Sequence, residues 1–192
     1  TDVIFDETIP TLDPVSITSS NTNAPSGTLS KPLDVITISI TADNNIQTPT
    51  ITIAGNAATI ATGNPGESVY TATYEMQTTD ANADAIAFTV DFLDLAGNAG
   101  VQVTALVNDA DGGVSFDKQA PSFTDVSIDS NNAVSTATAD DNGTRAKSGD
   151  NITVTLESDE DLQVGLDPTV TIAGNTAVVT RNTASTFSAV YE

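Results

Sequence analysis

The chain has no cysteine, no histidine and no tryptophan in its 192 residues. Without cysteine there is no disulfide staple and no thiol nucleophile. Without histidine as well, ordinary zinc sites and Ser-His triads drop out. Basic residues are nearly as scarce: 5 Lys and Arg stand against 26 Asp and Glu, for a net charge of −21. Phosphate backbones are met by Lys and Arg, so this balance argues against nucleic acid and equally against anionic membrane surfaces. No apolar run is long enough to cross a bilayer, so no membrane insertion is expected, and no signal peptide is visible. Aromatic residues make up only 5%. The chain begins at Thr1 rather than Met, and the expectation is a piece of something longer.

What is present is Thr, Val, Ala, Ser, Asn and Asp. Thr and Val favour strands, while Asn, Asp and Gly favour turns. Few stretches combine good helix formers with a 3.6-residue apolar period, so an all-β fold is predicted. The acid excess has two readings. It keeps a β protein soluble, or it awaits divalent cations, which hard carboxylate oxygens bind well.

The sequence also repeats itself. "VIFDETIPTLDPVSIT" from Val3 matches "VSFDKQAPSFTDVSID" from Val114, with Asp6 and Asp117, Pro10 and Pro121, Val15 and Val126, and Ile17 and Ile128 each 111 residues apart. "TITIAGNAATI" from Thr50 matches "TVTIAGNTAVV" from Thr169, and Tyr74-Glu75 matches Tyr191-Glu192. The drift in offset places length changes in loops. Two units follow, residues 1–113 and 114–192. The second lacks everything matching residues 76–107, so it is expected to be truncated before its last strands.

In the first unit, alternation marks strands at Val15 and Ile17, at Ile36–Ile40, at Ile51 and Ile53, over "AATIA", at Tyr70–Met76, at Ile86–Phe92 and at Val101–Val107. Seven short strands, each with one apolar face, predict a two-sheet sandwich, Ig-like by architecture. Between the third and fourth strands, Gly55-Asn56 reads as a two-residue hairpin turn, as does Gly174-Asn175. Ligand contact by Asn56 and Asn175 is the alternative.

Three stretches occur in order: "FDETIPTL" with "FDKQAPSF", "PTITIAGN" with "PTVTIAGN", and "FLDLAGNAG" from Phe92 to Gly100. Together they resemble the tandem bacterial Ig-like domain repeats of large extracellular adhesin and biofilm-type surface proteins. The resemblance implies all-β, tandem seven-stranded Ig-like β-sandwiches, the second one incomplete. It further implies an extracellular or bacterial cell-surface location, neighbouring repeats of the same chain as partners, and frequent stiffening by calcium.

Placed on a seven-strand sandwich, the acids collect at the poles. One pole of the first unit receives Asp6, Asp43 with Asn44 and Asn45, and Asp94 with Asn98, hard donors from three separate segments as calcium requires. The stretch joining the units supplies Asp109, Asp111 and Asp117, and the second unit offers Asp159 and Asp161. Calcium bound there is expected to set the angle between units. The bland alternative is solvated loop acids, with Asp94 bonding its own turn. No EF-hand or glycine-rich nonapeptide repeat is present.

Lys31, Lys118 and Lys147 lie outside core strands, which argues against an isopeptide crosslink. The glycosylation-type triplets at Asn142 and Asn151 read as chance matches in a bacterial chain. No catalytic residues are expected. The leading expectation is a non-catalytic structural extender segment. A carbohydrate- or protein-binding module and a strand-complemented filament subunit are the alternatives.

Overall fold

The computed structural model describes residues 5–22, 27–132 and 145–192. The Asn142 triplet lies outside them. The described residues are all-β, in several sheets and without an α-helix, in keeping with the β-sandwich class. The chain divides into two compact units, residues 1–118 and 119–192.

The first unit is organised on β3 (Val35–Ile46), flanked by β1 (Leu12–Ser19) and β7 (Glu67–Glu75), with β6 (Thr59–Thr62) outside β7. Ile36, Ile38 and Ile40 alternate with Thr37, Ser39 and Thr41, and the three isoleucines are fully buried. This period of two turns one face of the sheet inward. On β1, Val15 and Ile17 pair with Ile40 and Ile38; on β7, Tyr70 and Ala72 pair with the same two residues. A second sheet runs β5 (Asn56–Ala57), β4 (Thr50–Ile53) and β8 (Phe88–Asp91). Its Ile51, Ile53, Phe88 and Val90 join the same core cluster.

Several details differ from the pattern read in the sequence. Ile53 pairs with Asn56, so the turn residues are Ala54 and Gly55, not Gly55 and Asn56. Both have positive φ, 51° and 77°, as a two-residue turn matched to the strand twist demands. Asn56 closes the turn and donates from Nδ2 back to the Ala54 carbonyl. The second unit repeats this, with φ of 50° at Ala173 and 83° at Gly174. The stretch "AATIA" breaks at Ala58, so that β5 stays in the second sheet while β6 pairs with β7 in the first. Residues 101–107 form no continuous strand. They bridge β8 through Val103 and Val90, then β1 through Val107 and Val15. A segment that changes partners within a few residues cannot build a ladder on either.

The first unit also extends beyond residue 113. β9 (Ser115–Phe116) pairs in parallel with β2 (Leu29–Ser30), and Val114 and Phe116 are buried in the first core. "FDKQAP" thus begins inside the first unit's packing, and the division falls after Lys118.

In the second unit, β10 (Phe123–Ser130), β11 (Ile152–Ser158), β15 (Thr186–Tyr191) and β14 (Val178–Arg181) form one sheet in that order. It matches the order β1-β3-β7-β6. A short hairpin of β12 (Thr171–Ile172) and β13 (Asn175–Thr176) matches β4 and β5. Among the described residues no strand stands where β8 would.

Gly63 offers a direct test of packing. Its φ is 104°, and a Cβ there would fall on the Tyr70 ring. That ring is fully buried, with its hydroxyl donating to the carbonyls of Asn64 at 2.6 Å and Ile46 at 3.2 Å. Gly63→Ala should destabilise the first unit by about 2–4 kcal/mol through overpacking and left-handed backbone strain, measured by urea unfolding.

Candidate functional site

The pole read from the sequence assembles as a hollow of about 550 Å³, lined among others by Asp6, Asp43, Asn44, Asn45, Asp94 and Leu95. The segments come from the unit entrance, the end of β3 and the turn after β8. Asn98 reaches the same place, donating from Nδ2 to the Asp6 carbonyl at 3.0 Å.

Each carboxylate there already has partners. Asp43 stands at the far end of β3 and grips Thr11, the residue before β1. Thr11 donates its N–H to Asp43 Oδ1 at 3.0 Å and its hydroxyl to Oδ2 at 2.9 Å. The Asp43 N–H returns a bond to the Thr11 carbonyl at 3.1 Å. The Thr11 N–H, with the hydroxyl adding to it, holds the Asp43 carboxyl below the usual carboxylate range.

Asp94 is buried and closes its own loop. Oδ1 accepts the N–H groups of Gly97 at 2.6 Å and Asn98 at 2.7 Å, and Oδ2 accepts Asn98 Nδ2 at 2.7 Å. Gly97 makes the loop possible with a φ of 100°. Burial pulls the Asp94 carboxyl upward, but the Asn98 side chain and the Asn98 and Gly97 N–H groups outweigh it and leave it lowered. Asp6 accepts the Thr8 N–H at 2.9 Å.

The other acids of the first unit, Asp109, Asp111 and Asp117, do not line this hollow. Asp109 accepts the Ile17 N–H at 3.4 Å and the Asp111 N–H at 3.1 Å. Asp111 is exposed, and Asp117 accepts Asn82 Nδ2 at 3.3 Å. Asp161 is exposed on the second unit. Among the described residues no group of three or more carboxylates is placed to hold a metal ion. At the pole the Asp43 and Asp94 carboxylates accept N–H and O–H bonds from their own unit.

Asp159 proves to be the counterpart of Asp43. Ser122 donates its N–H to Oδ1 at 2.8 Å and its hydroxyl to Oδ2 at 2.7 Å, and the Asp159 N–H bonds the Ser122 carbonyl at 2.9 Å. The Ser122 N–H, then its hydroxyl, hold this carboxyl down too. The same clamp therefore locks the first strand of each unit to the end of the second.

A further pair escaped the sequence reading. In "KPLD" Lys31 donates its N–H to Asp34 Oδ2 at 2.8 Å, with the ammonium 3.5 Å from Oδ1. In "KSGD" Lys147 does the same to Asp150 at 2.7 and 2.9 Å. The signal was available as a second Lys-x-x-Asp, 116 residues downstream. At the opposite end from the hollow, Asp80 is buried and accepts the Gln77 N–H at 2.8 Å, with Tyr74 Oη and Asn56 Nδ2 each at 3.3 Å. Asn56 thus serves a structural turn and its neighbour.

The clamps predict a pH response. A carboxyl lowered in the folded state stabilises the fold above its unfolded pKa and loses that contribution as pH falls through the folded one. Melting temperature should therefore drop as pH falls below about 4. The Asp43→Asn, Asp159→Asn double variant should melt lower at pH 7 and show a shallower drop in acid. A double variant with an unchanged pH profile would remove the clamps from the account.

Comparison with protein-family models, curated proteins and solved structures gives no match for this chain.

Proposed function

We infer that this chain is a structural extender segment of a repeat-built bacterial cell-surface or secreted adhesin, non-catalytic, working by length and shape rather than by chemistry. The observation that carries the reading is the path of the chain through the first unit. It enters beside Asp43, at the end of β3, through the Thr11 clamp. It leaves beside Ser30, near the start of β3, where the Asp117 N–H bonds the Ser30 carbonyl at 3.0 Å. Entry and exit lie toward opposite ends of β3, and its stretch from Val35 to Asp43 spans about 26 Å at the usual strand rise. A unit threaded this way adds its length to an array.

Recurrence of the same turns and clamps in the second unit supports the reading as an array. The Ig-like, seven-stranded description belongs to this proposal. It is supported by the strand order of the first sheet and by residues 101–107 linking the two sheets. Extracellular location and service between neighbouring repeats follow from the same resemblance.

Calcium is the part of the proposal that rests on charge. The support for it is the net charge of −21 and the exposed Asp111 and Asp161. Saturating calcium should raise the melting temperature if it binds the folded chain. No rise at millimolar calcium removes the cation and leaves the extender reading intact. The extender reading has its own test in single-molecule stretching. Two separate unfolding steps are expected, the larger releasing on the order of 350 Å from the 118 residues of the first unit. A chain that stretches without resolvable steps is no extender.

A further inference from the structure

The second unit solves one packing problem differently from the first. Phe187 stands where Tyr70 stands. Tyr70 pairs with Ile40 of β3 and Phe187 with Leu156 of β11, and both rings are fully buried. In the first unit the Tyr70 hydroxyl bonds two carbonyls, Asn64 in the turn after β6 and Ile46 at the end of β3. Phe187 has no hydroxyl. The carbonyl matching that of Ile46 belongs to Leu162, three residues past Asp159 as Ile46 is three past Asp43.

That carbonyl is bonded all the same. Arg181 Nη1 donates to it at 2.9 Å, and to the Ala184 carbonyl in the turn after β14 at 3.0 Å. The guanidinium lies over the Phe187 ring, 4.8 Å from its centre. Thr180 pairs with Ser188 as Thr62 pairs with Thr71, so Arg181 holds the position of Gly63. In one unit a glycine faces a tyrosine; in the other an arginine lies over a phenylalanine. Both pairs tie the end of β3 or β11 to the same turn.

Arg181 also holds a stretch that the first unit lacks. Pro49 follows Ile46 by three residues, but Pro168 follows Leu162 by six. In this longer loop Nη2 donates to the Gln163 carbonyl at 2.8 Å, and Nε and Nη2 meet Asp167 Oδ1 at 2.8 and 2.7 Å. Val164 and Leu166 are 85% and 61% exposed, so among the described residues burial does little to hold the loop. A planar guanidinium donates in several fixed directions at once, as these bonds require; an ammonium on a flexible stem does not.

We propose that Arg181 is a latch. Its guanidinium, seated on Phe187, closes residues 162–167 onto the turn after β14 and does there what the Tyr70 hydroxyl does in the first unit. Releasing it opens the loop locally and leaves the sheet β10-β11-β15-β14 intact, since strand pairing does not pass through the side chain.

The test is hydrogen exchange on the whole chain. Arg181→Ala should speed exchange over residues 162–167 at least tenfold and leave β11 and β15 unchanged. Arg181→Lys keeps the charge but not the fork, and should speed it as well. Phe187→Tyr added to Arg181→Ala returns a hydroxyl to the Leu162 and Ala184 carbonyls. It should restore protection at Leu162, whose N–H bonds the Ala184 carbonyl at 2.9 Å, to within about threefold of the unaltered chain. Should Arg181→Ala disturb β11 or β15, Arg181→Lys decides by the same criterion. Unchanged exchange over residues 162–167 in either variant, lost protection in β11 and β15 with both, or failure of Phe187→Tyr to restore Leu162 overturns the proposal.

Discussion

A sheet with one apolar face must have that face covered, and the first unit is the working-out of this constraint. The row Ile36, Ile38 and Ile40 on β3 is the middle of the face, and β1 and β7 widen it with Val15, Ile17, Tyr70 and Ala72. β4 and β8 lie over it, and residues 101–107 close the side by passing from β8 to β1. The polar groups are subordinate to that packing. Asp43 and Asp94 hold the ends of strands and loops where hydrophobic burial has already brought them. Among the described residues of the second unit, the matching Val126 and Ile128 are exposed.

Most of the first sheet was legible because alternation survives in single residues. Val15, Ile17 and the three isoleucines of β3 could be assigned a face without any structure. The repeat reinforced this, since each stretch appeared twice. Residues 101–107 misled because their alternation is as good as that of β3. Period reports which side of a segment is covered, but not how many partners share it. The hairpin turn misled for a different reason. Gly-Asn is a favoured turn pair, whereas the ladder sets the turn one residue earlier and puts an alanine at positive φ. Strand register, a long-range property, overrode local preference.

The acidic pole was legible as a place and less so as chemistry. Asp6, Asp43, Asp94 and Asn98 were assigned to one end from topology, and they line or reach one hollow. Their partners were invisible, because a backbone N–H has no letter in the sequence. Thr11 and Ser122 are the exception. Each lies one residue past the repeated prolines Pro10 and Pro121, with a hydroxyl in both copies. A carboxylate that recurs with a hydroxyl at matched positions is the mark that the clamp leaves in the sequence.

The parallel pairing of β2 with β9 bears on how the first unit would carry a load. Tension applied at Lys118 along the strand direction acts in line with β9 and tends to slide it past β2. The bonds from Ser115 and Asp117 to Thr28 and Ser30 would then be strained together, as in a lap joint, rather than opened one after another like a zip. Lys118 adds two more ties, its N–H to Asn82 and its ammonium to the Asp80 carbonyl at 2.7 Å. A pull in that direction would load these bonds in shear.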